Sequence, residues 1–176
     1  MGAGDRVHLV TMGDAHLEAT YQWLSRSETL RAQLDTLTAP TRDGNTAYWH
    51  AKWRDPTRED FAIVDGATGE HVGNCGLSNV DPARGKCELW IYLGDRRGGG
   101  RGSEAVRCLL RRAFNGLGLN RVYLRVVADN LRAIAFYEAI GFQQEGRFRQ
   151  DTTRDGRFVD SIWLAMLASE YRGDQP

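Results

Sequence analysis

A chain of 176 residues, 41% hydrophobic and 26% charged, has the size and composition of one folded domain spanning 1–176, and excludes a disordered or low-complexity segment. Positive and negative side chains balance at 23 each, so no global field draws the molecule to nucleic acid or anionic lipid, and any anion site must be local. The apolar runs are too short to cross a bilayer and the N-terminus lacks a basic-then-apolar leader, so a cytoplasmic protein without a membrane partner is expected.

Val7–Thr11 reads as a first strand, after which Asp14 offers an N-cap to a helix carrying Leu17, Tyr21 and Leu24 at helical spacing. Two further helical stretches are expected around 30–37 and 46–54, separated by a loop at Ala39-Pro40. Residues 61–64 and 71–77 flank a Gly-bearing turn and predict an antiparallel hairpin, and a second turn at 81–85 leads into a third strand over 87–93. In that strand Cys87, Leu89, Ile91 and Leu93 face one way and Glu88, Trp90 and Tyr92 the other.

The pattern then turns helical, with Ala105, Val106, Leu109, Leu110 and Ala113 in one stripe that Gly116 and Gly118 end. Arg121–Val127 is rich in β-branched residues, so strand, helix and strand form a crossover between parallel strands. Asn130 caps a helix that Gly141 stops, and 157–166 is a last strand after the turn Arg154-Asp155-Gly156. Cys75, Cys87 and Cys108 are odd in number and have no His at ligand spacing, so they read as small buried hydrophobes, with neither a disulfide framework nor a metal site. His8, His16, His50 and His71 show no ligand or triad spacing and read as non-catalytic.

Gly98, Gly99, Gly100 and Gly102 lie between a strand end and a helix start, where backbone amides can converge on an anion with no side chain in the way. Arg97 and Arg101 add positive charge there, and the helix dipole from Ser103 onward acts in the same direction. A flexible surface turn is the bland alternative. The stretch 100–105 also satisfies the dinucleotide pattern G-x-G-x-x-A, which keeps a nucleotide-dependent oxidoreductase in view, although that fold places the motif after a buried parallel strand. A P-loop is excluded because no Gly-Lys-Ser/Thr follows the glycines.

Two blocks carry a resemblance. Arg97-x-x-Gly100-x-Gly102 is similar to the Arg/Gln-x-x-Gly-x-Gly/Ala signature of the GNAT superfamily of N-acetyltransferases, and Asn130, Ala133, Tyr137, Gly141 and Phe142 stand at the spacing of a second segment of that superfamily. The ending over 145–160 resembles the branch of ribosomal-protein, spermidine and amino-sugar acetyltransferases. The resemblance implies an α/β fold of the α+β type: a mixed, strongly bent central sheet, helices on both faces, splayed at the cofactor site after the strand 87–93. It implies acetyl-CoA as cofactor and no metal. Backbone groups of Ile91, Tyr92 and Leu93 would pair with the cofactor's amides, Arg97, Gly98, Gly99, Gly100, Arg101, Gly102 and Ser103 would hold its pyrophosphate, and Asn130 and Ala133 would touch it. The lead-in Leu93-Gly94-Asp95-Arg96 is about two residues shorter than is usual in that branch, a shortening for which three consecutive glycines can supply the backbone freedom.

Amine acetylation needs a proton acceptor for the amine and a donor for the departing thiolate. Tyr137 matches the superfamily's general acid, and Glu88, on the polar face of its strand, can orient a cationic substrate or take its proton through a water. Trp90, on that face, and Trp23, in the N-terminal half, offer aromatic walls for an acceptor, whereas Trp49 and Trp53, one helical turn apart, suit a packing stripe at least as well. The expected acceptor is a small-molecule amine, such as an amino sugar, polyamine or antibiotic. A protein N-terminal α-amine is the alternative, a non-catalytic CoA-binding module is the non-enzymatic rival, and a homodimer is common among relatives of that superfamily.

Overall fold

The computed structural model describes residues 6–34, 38–94, 98–154 and 156–173. Strand β1 (Val7–Thr11) leads through a 3-10 turn (Asp14–His16) into helices α1 (Leu17–Arg26), α2 (Glu28–Gln33) and α3 (Arg42–Lys52). An antiparallel meander follows, β2 (Glu59–Asp65), β3 (His71–Asp81) and β4 (Lys86–Leu93), then α4 (Arg101–Arg111), β5 (Arg121–Val127), α5 (Leu131–Ile140) and a final hairpin, β6 (Gln143–Arg154) and β7 (Arg157–Leu167). These strands form one seven-stranded sheet in the order β1-β2-β3-β4-β5-β7-β6, antiparallel at every junction except the parallel pair β4–β5.

The alternation along β4 decides the layering. Leu89, Ile91 and Leu93 join the main core with the stripe of α4 and with Ile134 and Tyr137 of α5, while Trp90 and Tyr92 pack on the other face against residues of α1, α2 and α3. Helices therefore cover both faces of the sheet. Cys75 and Cys87 are buried and Cys108 half-buried, none of the three in a disulfide, and burial pushes the Cys87 thiol up to about 12.

Several boundaries differ from those expected. Asp14 lies inside the first turn, whose cap position belongs to Gly13, and its carboxylate meets His50 Nε2 at 2.6 Å. The second helix starts earlier than position 30 because the Ser27 hydroxyl accepts from Leu30 N at 3.1 Å, and α3 starts at Arg42 because Thr41 Oγ1 accepts from Gly44 N at 3.0 Å. Residues 35–37 lie outside the described ones. Strand β6 was not expected at all: nearly every side chain along it is exposed, so an edge strand of this polarity carries no apolar alternation. Among the described residues no helix is long and apolar enough to cross a membrane, and no cluster of three or more His, Cys, Asp or Glu could hold a metal.

Candidate active site

The parallel junction is short. β4 and β5 pair only at Lys86↔Arg121, Cys87↔Val122 and Glu88↔Tyr123, and beyond Glu88 the two strands part. Across 89–93, β4 stays bonded to β3 on its other side, so the backbone groups turned toward β5 have no strand partner there. The gap is a cleft of about 520 Å³ whose walls include the backbone of β4, residues 124–127 of β5, the Gly-rich turn and the first turns of α5. An unpaired strand edge inside a sheet is a template for an extended, amide-bearing ligand.

At one end of the cleft the chain turns through Gly98, Gly99 and Gly100 with φ of 101°, 64° and 76°. Three successive left-handed residues are affordable only without side chains. Gly100 is the N-cap of α4, and Gly98, Gly100, Gly102 and Ser103 line the cleft, so uncapped amides and the positive end of the helix dipole border it. Arg97 lies outside the described residues. The guanidinium of Arg101 is not part of the lining: its Nε donates to Asp65 Oδ2 at 2.6 Å, at the end of β2. Asp65 is almost buried, its other oxygen accepts from Ala67 N and Thr68 N at 3.0 Å each, and the Arg101 hydrogen bond, helped by these amides, holds its carboxyl down to about 2. Arg101 thus ties the turn to the end of β2.

Helix α5 presents Asn130, Ala133 and Tyr137 to the opposite wall, at the three- and four-residue spacing that keeps side chains on one helix face. Asn130 Oδ1 accepts from Ala133 N at 3.2 Å, which caps the helix and leaves the side-chain amide's donors for the cleft, and Gly141 ends it in the left-handed conformation at φ 114°. The Tyr137 ring is walled by Phe136 at 5.0 Å and Phe142 at 5.6 Å, and its burial pushes the phenol well above its ordinary range. It therefore keeps its proton throughout the neutral and mildly basic range.

Glu88 lines the closed end of the cleft, at the last β4–β5 pair, and its Oε2 accepts from Asn79 Nδ2 at 2.8 Å. Trp90 and Tyr92 also line the cleft but are committed to packing. Trp90 lies 5.9 Å from Trp49 and stacks on Tyr92 at 6.2 Å, and the buried Tyr92 hydroxyl accepts from Asn74 Nδ2 at 2.6 Å. Trp49 and Trp53, 6.4 Å apart, belong to the same packed cluster. Trp23 is 6% exposed and is not in the lining: its indole lies flat on Gly94, where a Cβ would come within 2.2 Å of the ring. It therefore supports the end of β4. None of the four histidines lines the cleft.

Sequence reasoning missed Arg132, Phe136 and Arg154, which line the cleft, and Asn79, which holds Glu88. The face of α5 that carries Ala133 could have revealed Phe136, whereas Arg154 belongs to the unrecognised strand β6.

Comparison with known proteins agrees with this architecture. The domain family described as "Acetyltransferase (GNAT) domain" matches residues 6–143. The uncharacterized N-acetyltransferase p20 of Bacillus licheniformis is 34% identical over 114 residues, 64% of each chain. A spermidine N(1)-acetyltransferase of Vibrio cholerae is 27% identical over 113 residues, covering 62% of this chain and 64% of the relative. These matches span less than two thirds of the relatives' own lengths. The crystal structure of spermidine N-acetyltransferase from Vibrio cholerae in complex with CoA and spermine superposes with a TM-score of 0.87 at 20% identity, covering 94% of this chain and 98% of that one, a likeness of fold.

Proposed function

On the premise that this chain belongs to the GNAT acetyltransferase family, we propose that it is an acetyl-CoA-dependent N-acetyltransferase that acetylates a primary amine of a small molecule by direct attack on the thioester. One observation carries the reading: an unpaired strand edge over 89–93 and a run of left-handed glycines at a helix N-terminus border the same cleft. A ligand with an anionic pyrophosphate at one end and amides along its arm fits both features at once, whereas a surface turn needs neither.

Acetyl-CoA, when bound, supplies an acyl group activated as a thioester. The amides over 98–103 would hold its pyrophosphate, backbone groups of Ile91, Tyr92 and Leu93 its amides, and Asn130 and Ala133 the facing side. An amine substrate enters as an ammonium, and Glu88 would attract it and accept its proton through a water. Tyr137, protonated because its burial disfavours the phenolate, would donate to the departing thiolate. Attack by the amine itself requires no enzyme nucleophile.

The acceptor class rests on the spermidine acetyltransferase among the relatives, and a relative named "Putative ribosomal N-acetyltransferase" keeps a protein amine as the alternative. Thiol release from acetyl-CoA, followed across a panel of polyamines, amino sugars, aminoglycosides and N-terminal peptides, tests the reading. Saturable release with a small amine is expected. Release with peptides alone would move the acceptor to a protein α-amine, and tight acetyl-CoA binding without release on any amine would leave a binding module.

A further inference from the structure

β3 contains one residue more than its partner across the stretch facing Glu88: it takes three steps from Ser78 to Asp81 while β4 takes two from Glu88 to Lys86. The surplus is a β-bulge, and Asn79 within it holds φ of 50°, one of two described non-glycine residues at positive φ. In a regular strand Asn79 would point to the sheet face opposite that of Ser78, which pairs directly with Glu88. The bulge turns it back, so that its Nδ2 reaches Glu88 Oε2 at 2.8 Å. The neighbouring Val80 N–H donates to the Thr57 carbonyl at 2.9 Å, which anchors the bulge from outside the sheet.

One amide therefore ties β3 to β4 at the last register pair before the sheet opens. We propose that Asn79 is a positioning residue for acyl transfer: it fixes one oxygen of the Glu88 carboxylate at the closed end of the cleft, leaving the other for the incoming ammonium. This rests on the role proposed above for Glu88. Asparagine tolerates the left-handed backbone and supplies the donor, and that pairing of properties explains a polar residue at a strained position.

Asn79→Gly separates the two properties, because glycine accepts the backbone conformation while the donor is lost. Steady-state thiol release, with amine and acetyl-CoA varied in turn, is expected to show kcat/KM for the amine reduced about tenfold, as for loss of a hydrogen bond to a charged group. KM for acetyl-CoA should stay within about twofold and the melting temperature should not fall. In a Glu88→Ala background the same substitution should change amine kinetics less than about twofold, because its target is gone. Asn79→Asp, which keeps the backbone preference and sets a second carboxylate against the first, should lose at least as much as Asn79→Gly. Should Asn79→Gly lower the melting temperature, Asn79→Asp and the Glu88→Ala background carry the test. Amine kinetics unchanged in Asn79→Gly or Asn79→Asp, while Glu88→Ala is impaired, would overturn the inference, as would losses that multiply in the double variant. A Glu88→Ala enzyme with unaltered kinetics, or a wild-type chain that acetylates no amine, overturns instead the reading beneath it.

Discussion

Tyr137 is set apart from an ordinary helix tyrosine by its surroundings. Phe136 and Phe142 wall its ring, and among the described residues no side chain bonds its hydroxyl, so burial alone raises its pKa. The protonated form is the one burial favours, and it persists as pH rises, so wild-type turnover should not decline between pH 8 and about 10 through loss of this proton. Tyr137→Phe keeps the ring contacts and removes the donor. It should lower kcat roughly a hundredfold, with acetyl-CoA affinity within about twofold, as measured by single-turnover acetylation and by titration calorimetry. A Tyr137→Phe enzyme that turns over as fast as wild type at every pH would remove Tyr137 from the proton path. Tyr137, Asn130 and Ala133 were singled out by the resemblance of their segment to the superfamily's, and they line one cleft because a single helix fixes which side chains share a face. The placements of Arg101 and Trp23 were not legible in the sequence: the partner of Arg101 is Asp65, 36 positions away, and Trp23 is held by Gly94 across the molecule. Long side chains choose partners by tertiary proximity, which spacing does not encode.

Among the elements, α4 depends on β2 for its starting point. Arg101 is its first residue, and its bond to Asp65 ties the turn of left-handed glycines to the end of β2. The folded-state carboxyl of Asp65, near 2, lies below its ordinary value of 3.8, so the unfolded chain binds the proton more readily. The stabilisation is thus fully present above about pH 4 and is lost as pH falls toward 2. Asp65→Asn should melt lower than wild type at pH 7, with a gap that closes between pH 4 and 2, and should bind acetyl-CoA several-fold more weakly because the turn is no longer pinned. A gap of constant size down to pH 2 would show that the ion pair is not its source. Elements with strong internal patterns, β4, α4, β5 and α5, were predicted close to their true bounds. β6 escaped because an exposed edge strand needs no apolar face, and the starts of α2 and α3 shifted because Ser27 and Thr41 cap them before their apolar residues begin.

At the scale of the whole molecule, the sheet is two parts joined by three register pairs. β1 through β4 form one part and β5, β7 and β6 the other, linked at 86–88 and by the helices packed across them. The parallel junction followed from the strand-helix-strand pattern, but the point of parting at Glu88 did not, since no residue pattern marks where pairing stops. A ligand in the cleft contacts both parts and must stabilise the fold as one unit. At a concentration about a hundredfold above its dissociation constant, acetyl-CoA contributes about 2.7 kcal/mol. For a chain of this size that raises the melting temperature by roughly 5–10 °C, at about 2–4 °C per kcal/mol. NAD should produce no such shift, because the G-x-G-x-x-A match at Gly100 follows an antiparallel meander and the cleft beside it is bounded by an open strand edge, not by a run of parallel units. Hydrogen exchange locates the effect: protection by acetyl-CoA should concentrate on the amides of 89–93, of 98–103 and of the first turn of α5, on both sides of the gap. A melting shift with NAD instead, or protection confined to one side, would mean that the cleft does not bridge the two parts around a coenzyme A.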